Sequence, residues 1–328
     1  MIQNKKLLEN TKNLLAFSAG VDSTALFFLL LENNITFDIA IVNYGVRKES
    51  QEEVAYAKEL ALKYNLECFI CDAKPIEANF EAKAREIRYN FFEELIQKYT
   101  YENLLTAHHL GDRLEWMLMQ FCRGAGCVEL SGMKAIDERE SYRLLRPLLH
   151  LDKQELLEYL HRREKRYFID KSNSDMKYKR NEFRLYYAQP LLKKYLSGIK
   201  KSFQYIDEDV KSLTNDAKIY HLNKLSYFQT TGSCLNDIRI IDRYFKSKNK
   251  LITANERKQL KEQKSVIISR RFIVNQEHGY VFIAPFITDI KISKKLKEKL
   301  RLLKIEPKLR GYLASDEEAV ELFSLLLQ

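Results

Sequence analysis

The sequence predicts an α/β protein with two domains: a larger domain built on a parallel sheet and a smaller C-terminal α+β domain. The chain has 328 residues, which exceeds one average domain. Its first 110 residues alternate strand-like and helix-like segments, the pattern of a parallel sheet wrapped by helices. A glycine-containing turn near residue 279 separates two β-rich runs, which indicates a hairpin. We place the domains at residues 1–201 and 202–328.

The elements of the first domain follow from apolar runs and their spacing. Short apolar runs predict buried strands, and longer runs with apolar residues every three or four positions predict helices. The predicted strands cover residues 13–17, 37–42, 66–71, 103–107 and 143–145. The predicted helices cover residues 23–32, 50–64, 79–99, 112–123 and 151–164. Right-handed crossovers bring the carboxyl ends of such strands to one edge of the sheet, where ligands bind.

The remaining elements predict a connector and the second domain. Pro190 opens a helical stretch that reaches about residue 213. Two strands at 266–274 and 280–284 flank the turn at 276–279. Helices at 256–264, 293–303 and 315–327 complete the small domain.

Composition places the chain among folded proteins of a reducing compartment. Hydrophobic residues make up 45% of the chain and aromatic residues 12%, which excludes a disordered protein. The most apolar stretch, residues 25–31, is far shorter than the roughly 20 residues of a membrane span, and the N-terminus has no export signal. Five cysteines, an odd number, argue against a disulfide scaffold. We therefore expect a soluble, cytoplasmic protein without a membrane partner.

The net charge of +10 is unevenly distributed along the chain. Residues 1–142 carry a net charge of −6, residues 143–201 carry +9 and residues 202–328 carry +7. Residues 161–168 and 177–180 interleave Lys and Arg with aromatic residues, which suits RNA because cations meet phosphates and rings stack on unpaired bases. A solvated helix face is the alternative explanation of each run. The distribution predicts a basic surface for a polyanion beside an acidic half.

A turn of small and polar residues joins the first strand to the first helix. Backbone N–H groups at a helix N-terminus favour phosphate or pyrophosphate, and Ala19 and Gly20 allow its close approach. The hydroxyl groups of Ser18 and Ser23 can add donors. The spacing fits neither a Walker A loop nor a GxGxxG turn. A simple helix cap at Ser18 or Asp22 is the alternative interpretation.

Residues 18–23, Ser-Ala-Gly-Val-Asp-Ser, resemble a known phosphate loop. It is the loop Ser-Gly-Gly-x-Asp-Ser of the N-type ATP pyrophosphatases, the PP-loop superfamily, which cleave ATP into AMP and pyrophosphate while adenylating a carbonyl oxygen. Further stretches resemble, in order and spacing, one subfamily, the tRNA(Ile)-lysidine synthases. These stretches are residues 42–50, 79–92, 107–115, 123–133, 146–149 and 170–184.

The resemblance implies a function. A tRNA(Ile)-lysidine synthase uses ATP to adenylate the C2 carbonyl oxygen of the wobble cytidine in an isoleucine tRNA with a CAU anticodon. Free lysine then displaces AMP and forms lysidine, which changes codon recognition from AUG to AUA. The implied cofactors are ATP and Mg²⁺. The implied partners are that tRNA and free L-lysine, and a homodimer is compatible with the sequence.

The resemblance also implies roles for individual residues. Asp22 is implied as a catalytic residue for metal or pyrophosphate organisation, and His108 for the adenylation centre. Asp112, also catalytic, and Glu115 are implied for lysine recognition. The implied ATP-binding residues are Ser18, Ala19, Gly20, Val21, Asp22 and Ser23. The implied tRNA or phosphate contacts are Arg85, Arg88, Arg123, Arg180 and Arg184.

Read without the resemblance, the same residues have plain structural explanations. Arg85 and Arg88 suit a solvated helix face. His108 and His109 suit capping or packing at a strand end. The acidic residues after them suit the positive end of a helix dipole. Their position favours the functional interpretation, because the ends of the first and fourth predicted strands both place polar groups at one edge of the sheet.

Two departures from the family pattern leave alternatives open. Ala19 replaces the first loop glycine, and Gly111 stands where the His-x-x-Asp-Asp-x-x-Glu signature has its first aspartate, so a tRNA-binding protein with a decayed active site is one alternative. A tRNA-thiolating enzyme of the same superfamily is another, because Cys68 and Cys71 form a CxxC. Residues three apart in a strand point to opposite faces, and the chain has no second CxxC, so packing is favoured for this pair.

Overall fold

The computed structural model describes residues 1–45, 49–76, 78–169, 179–214, 217–288 and 290–326. The chain forms two units, unit 1 over Met1–Val210 and unit 2 over Lys211–Gln328. The division lies inside one long helix, slightly after the boundary at residue 201 expected from the sequence. Two segments of the sequence motifs, residues 46–48 and 170–178, lie outside the described residues.

Unit 1 contains a six-stranded sheet with the order β3-β2-β1-β4-β6-β5. Neighbouring strands are parallel, except that β5 runs antiparallel to β6. The five predicted strands are confirmed, and β5 is an addition whose three residues are too short and polar to stand out. The strands are β1 (Asn13–Ala16), β2 (Asp38–Asn43), β3 (Cys68–Asp72), β4 (Asn103–Leu105), β5 (Ile136–Glu138) and β6 (Arg143–Leu145).

The helices of unit 1 connect these strands. They are α1 (Val21–Glu32), α2 (Glu49–Tyr64), α3 (Phe80–Tyr99), α4 (Leu110–Phe121), α5 (Cys127–Leu130), α6 (Lys153–Arg162), α7 (Lys179–Glu182) and α8 (Gln189–Leu213). A π-helical segment, Phe183–Ala188, joins α7 to α8, so this helical stretch begins before Pro190. A short 3₁₀ turn covers Lys5–Leu7. Among the described residues, none of the helices has the length and apolarity needed to span a membrane.

The sheet of unit 1 is buried on both faces. Leu15 of β1 and Leu105 of β4 pack into one apolar cluster with α1, α2 and α6. Leu14 and Leu104, the residues before them, pack into a second cluster with α3. Because successive strand residues point to opposite faces, unbroken apolar strands require helices on both sides. This packing leaves the loops after the strands at one edge of the sheet.

The described residues of unit 2 combine an antiparallel sheet of order β7-β8-β11-β10-β9 with five helices. The prediction of one strand over 266–274 is wrong, because the chain reverses at Ser269 and Arg270, which adopt positive φ angles of 50° and 57°. The strands are β7 (Tyr220–Leu222), β8 (Leu225–Gln229), β9 (Ser265–Ile268), β10 (Phe272–Glu277) and β11 (Tyr280–Pro285). The helices are α9 (Cys234–Ser247), α10 (Ala254–Glu262), α11 (Lys294–Leu302), α12 (Pro307–Leu313) and α13 (Glu317–Leu326).

A substitution at Gly311 in α12 tests the packing of unit 2. A Cβ atom at this position would lie 1.9 Å from the carbonyl oxygen of Ile287, so a backbone segment would have to move. We expect Gly311→Ala to lower the free energy of unfolding by about 2 kcal/mol or more in urea denaturation of the full chain. Gly198→Ala in α8 is the control. Its added methyl group meets no described atom within 4 Å, and it should stabilise by about 0.5–1 kcal/mol. Equal effects of the two substitutions would contradict this packing.

Candidate active site

The loop between β1 and α1 has the geometry of an anion site. Gly20 is the N-cap of α1, with φ −74° and ψ 172°, and as a glycine it offers no side-chain cap. The first N–H groups of the helix therefore remain available to a ligand at the positive end of the helix dipole. Ser18 and Ser23 brace the loop, since their Oγ atoms are 3.0 Å apart and the Ser18 N–H donates to Ser23 Oγ at 3.2 Å.

Ala19 carries the strained position of this loop. Its backbone is left-handed, with φ 56°, and its side chain is fully buried. A residue other than glycine in this conformation costs roughly 1–2 kcal/mol, which explains why the family pattern has glycine here. The Phe168 N–H donates to the Ala19 carbonyl at 2.9 Å, and Gly20 pairs with Phe168 as an isolated parallel bridge. Backbone pairing with Phe168, at the end of the 161–168 stretch, therefore holds the β1–α1 loop in place.

The loop between β4 and α4 brings a histidine between two carboxylates. His109 is the N-cap of α4: its Nδ1 accepts from the Gly111 N–H at 3.0 Å, and its own N–H donates to Asp112 Oδ2 at 3.0 Å. The Nε2 atom of His109 lies 3.9 Å from Asp22 Oδ2 and 3.7 Å from Asp112 Oδ2. The buried His109 ring thus stands between a carboxylate of the phosphate loop and a carboxylate of α4.

Two arginines neutralise the acidic residues of α4. Asp112 is 8% exposed and Glu115 is 2% exposed, so both carboxylates need partners. Arg180 donates to Asp112 Oδ1 at 2.8 Å and to Glu115 Oε2 at 3.1 Å. Arg184 donates to Glu115 Oε1 at 2.7 Å and its Nη2 lies 3.6 Å from Asp112 Oδ1. Two of the predicted phosphate contacts therefore pair with the predicted lysine-binding acids in this structure.

The two carboxyl groups beside His109 have pKa values that move in opposite directions. Burial raises the pKa of Asp22, and His109 offsets part of that effect. Burial acts in the same direction on Asp112, but His109, His108 and Arg180 outweigh it and hold the pKa of Asp112 below its usual range. Neighbouring acids with divergent pKa values are typical of functional sites.

Two polar atoms at the start of α1 are buried without a hydrogen-bond partner in the described part of the chain. They are Asp22 Oδ1 and Thr24 Oγ1. Buried polar atoms nearly always have partners, so these two mark a place for a ligand, a water or an ion. The described residues contain no group of three or more His, Cys, Asp or Glu that could hold a metal. One free carboxylate oxygen beside a phosphate loop fits Mg²⁺, which binds through one or two carboxylates plus substrate phosphates.

His108 is a neutral histidine among basic side chains. Its Nδ1 lies 2.9 Å from Thr106 Oγ1. Burial lowers the pKa of His108 to about 4, and Arg146, Arg180 and Arg85 act in the same direction. The imidazole is therefore uncharged at neutral pH and can accept a hydrogen bond or a proton there.

The other predicted arginines lie on the surface of unit 1. Arg85 and Arg88 are exposed on α3, where the Arg85 guanidinium stacks 4.5 Å from the centre of the Tyr89 ring. Arg123 is exposed just after α4. The structure therefore separates the predicted arginines into an exposed set and a half-buried pair, Arg180 and Arg184, that binds acids. The predicted residues that it brings together are Asp22, Asp112, Glu115, Arg180 and Arg184.

Sequence reasoning missed His109 as a member of the site. His108 and His109 are adjacent at a strand end, and the family signature points only to the first. The spacing of His109 and Asp112 is a sequence signal for this contact. His109 is the N-cap of α4 and Asp112 lies three residues later, and residues at these two positions can form a capping box. The proximity to Asp22 is a contact between two loops distant in the sequence, so no local pattern predicts it.

Known proteins similar to this chain identify its family. A family model described as a PP-loop domain matches residues 1–190. The tRNA(Ile)-lysidine synthase of Wolinella succinogenes is 41% identical over 312 residues, which cover 95% of each chain. That of Campylobacter jejuni (strain RM1221) is 39% identical over 307 residues, 94% of each chain. The chain belongs to the tRNA(Ile)-lysidine synthase family. The resemblance noted from the motifs and the α/β PP-loop fold are thus confirmed.

A solved structure shares the fold of this tRNA(Ile)-lysidine synthase family member. A U34-tRNA thiolase from Methanococcus maripaludis, solved with its [4Fe-4S] cluster, superposes with a TM-score of 0.53 at 18% identity. The match covers 66% of this chain and 78% of that chain, and it shows the fold alone. In this chain Cys68 packs with the α1 and α2 side of the sheet, and burial raises the pKa of both Cys68 and Cys71.

The pKa of His108 predicts a pH dependence of stability. Its folded-state pKa of about 4 lies below the ordinary value of 6.5, so the unfolded chain binds more protons between these values. The stabilisation is complete above about pH 6.5 and is lost as the pH falls through 4. Between pH 7 and pH 4.5, the free energy of unfolding of wild type should fall by ~2 kcal/mol more than that of His108→Gln. Chemical denaturation of both proteins at the two pH values measures this difference. The exposed His161→Gln is the control, and parallel curves for wild type and His108→Gln would contradict the assignment.

Proposed function

We propose that this chain joins free L-lysine to C2 of the wobble cytidine in an isoleucine tRNA with a CAU anticodon. The reaction uses ATP and Mg²⁺, passes through an adenylated cytidine and releases AMP and pyrophosphate. Membership of the tRNA(Ile)-lysidine synthase family supports the reaction class. The observation that carries the site assignment is the position of the His109 ring, with Asp22 on one side and Asp112 on the other. The nucleotide side and the lysine side of the reaction then meet at one place.

The nucleotide side is formed by residues 18–23. The α1 N-terminus with Gly20 as N-cap supports binding of the pyrophosphate part of ATP by backbone N–H groups. The unpartnered Asp22 Oδ1 supports a role for Asp22 in holding Mg²⁺. When bound, Mg²⁺ would neutralise charge on the phosphates. Neutral His108, in the loop between β4 and α4, is suited to accept a hydrogen bond or a proton at the adenylation centre.

The lysine side is formed by Asp112 and Glu115. An ionised carboxylate binds an ammonium group, and the low pKa of Asp112 keeps it ionised at neutral pH. Arg180 and Arg184 cover both acids in this structure, so lysine has to displace a guanidinium group from Asp112. The phosphate of an adenylated tRNA attracts the same guanidinium groups. We therefore propose that the nucleotide and tRNA bind before lysine.

The tRNA side rests on exposed cations of unit 1. Arg85, Arg88 and Arg123 are exposed, and we propose that they contact tRNA phosphates. All five cysteines are free thiols, which supports our proposal that the reaction takes place in the reducing cytoplasm. A homodimer stays a prediction.

The proposed reaction is tested by incubation of the chain with ATP, labelled lysine and an isoleucine tRNA with a CAU anticodon. We expect label to enter the RNA with one AMP released per lysine joined, because adenylation and displacement are coupled. Omission of ATP, lysine or tRNA should each abolish labelling. Lysine-independent sulfur transfer or iron absorbance would instead favour a thiolating enzyme. Absence of tRNA-dependent ATP–pyrophosphate exchange would indicate a silent binder.

Substitutions of Asp22 and Asp112 should separate the two half-reactions. We expect Asp22→Asn to lower tRNA-dependent ATP–pyrophosphate exchange about 100-fold, because it removes the carboxylate of the phosphate loop. We expect Asp112→Asn to keep most of the exchange and to raise the KM for lysine about tenfold or more. Exchange and lysine incorporation are measured for both variants at equal folded fraction.

The exposed Glu59→Gln on α2 is the matched control and should behave as wild type. Normal lysine turnover in Asp112→Asn would remove Asp112 from lysine recognition, whereas normal exchange in Asp22→Asn would remove Asp22 from the nucleotide side.

A further inference from the structure

We propose that His109 is a positioning residue that fixes Asp22 and Asp112 relative to one another, and that Gly111 provides the space its ring needs. The inference rests on the proposed function only in assigning Asp22 to the adenylation step and Asp112 to the lysine step. His109 has no part in the roles implied by the family signature, yet its ring joins the two loops of the site.

The orientation of the His109 ring is fixed by the backbone. Nδ1 accepts a hydrogen bond from the Gly111 N–H at 3.0 Å, so Nε2 is the ring nitrogen that carries a proton. Nε2 then faces Asp22 Oδ2 at 3.9 Å and Asp112 Oδ2 at 3.7 Å. Nε2 thus lies between two carboxylates that would otherwise repel each other, within ion-pair distance of both. The ring separates these acids and compensates both.

The two carboxylates depend on His109 to different extents. Asp112 is also held by Arg180 and by the backbone N–H of His109, and neither contact requires the imidazole ring. Asp22 has a buried Oδ1 atom without a hydrogen-bond partner among the described residues, so fewer protein contacts hold it. Removal of the ring should therefore displace Asp22 more than Asp112. The nucleotide step should suffer more than lysine recognition.

Gly111 is explained by the ring. A Cβ atom at position 111 would lie 2.6 Å from His109 Cε1 and 3.0 Å from His109 Nδ1, and real contacts of this kind are not that short. Gly111 lies in α4, where alanine is ordinarily more favourable than glycine by roughly 1 kcal/mol. The ring is buried and bonded, so it is not a flexible neighbour that moves without consequence. A side chain at position 111 and this position of the His109 ring exclude each other.

This exclusion gives a test at two positions: His109→Ala removes the ring, whereas Gly111→Ala displaces the ring and removes no functional group. We expect His109→Ala to lower tRNA-dependent ATP–pyrophosphate exchange about tenfold or more, since small misplacement of reacting groups has large effects on rate. The KM for lysine should rise less. His109→Asn should recover part of the exchange, because its carbonyl can still accept the Gly111 N–H. Gly111→Ala should reproduce the loss of His109→Ala, and Gly198→Ala is the matched control, expected to match wild type.

The combination of the two substitutions decides the proposal. Once the ring is gone, Gly111→Ala should cause no further loss, so the double variant His109→Ala/Gly111→Ala should equal His109→Ala alone. The same non-additivity should appear in the urea midpoint, which needs no activity. Full additivity in both measurements, or unchanged exchange in His109→Ala, would overturn the proposal. If wild type fails to incorporate lysine, the proposed function falls, while the urea midpoints still test the coupling of ring and glycine.

Discussion

Two buried carboxylates of α4, Asp112 and Glu115, need positive partners, and this requirement governs how the second half of unit 1 is assembled. An unpaired buried carboxylate costs several kcal/mol, so the partners must be present whenever the protein is folded. Arg180 and Arg184 are four residues apart and face one side of a helical stretch, which lets both reach the same pair of acids. The π-helical segment that contains Arg184 is a helix form often found at functional sites.

The remaining contacts of α4 fix the same arrangement. Leu110 and Leu114 pack against Ala188 and Leu192 of the following helical stretch, so apolar burial and ion pairs hold the same two elements together. Arg113 adds a hydrogen bond of 2.9 Å to Asp207 of α8. A helix held in several places keeps its first turn fixed, and that turn carries the acid beside the phosphate loop. Rigid support of this kind is what a two-step reaction at one place requires.

The parts of the fold that could be predicted are those with a local pattern. β1 and β4 have apolar residues at successive positions, which is the signature of strands buried on both faces. The 266–274 run could not be divided correctly, because its reversal at Ser269 and Arg270 uses left-handed residues that are neither glycine nor asparagine. The phosphate loop was visible from its small residues, whereas the strain at Ala19 became visible only from its backbone angles.

The candidate site divides in the same way. Asp22, Asp112 and Glu115 could be named as site residues from the sequence, since each belongs to a local motif. The pairing of Arg180 with Glu115 joins residues 65 positions apart, and the approach of His109 to Asp22 joins two separate loops. No periodicity connects such positions, so tertiary packing alone reveals them. Charge counts along the chain likewise could not show that Arg180 and Arg184 pair with buried acids.

That inward pairing changes what the charge distribution means. The segment 143–201 carries +9 and the segment 1–142 carries −6, and the ion pairs between them include Arg163 with Glu32, Arg166 with Glu52, Arg180 with Asp112 and Arg184 with Glu115. Part of the basic excess is therefore counter-charge for the acidic half rather than surface for RNA. In α11 of unit 2, Leu300 is buried while the cations around it are exposed, so a solvated amphipathic helix accounts for that run. Net charge by segment thus overstates the surface that is open to a polyanion. A cation contributes to such a surface only if the structure shows it to be exposed and not paired with an acid.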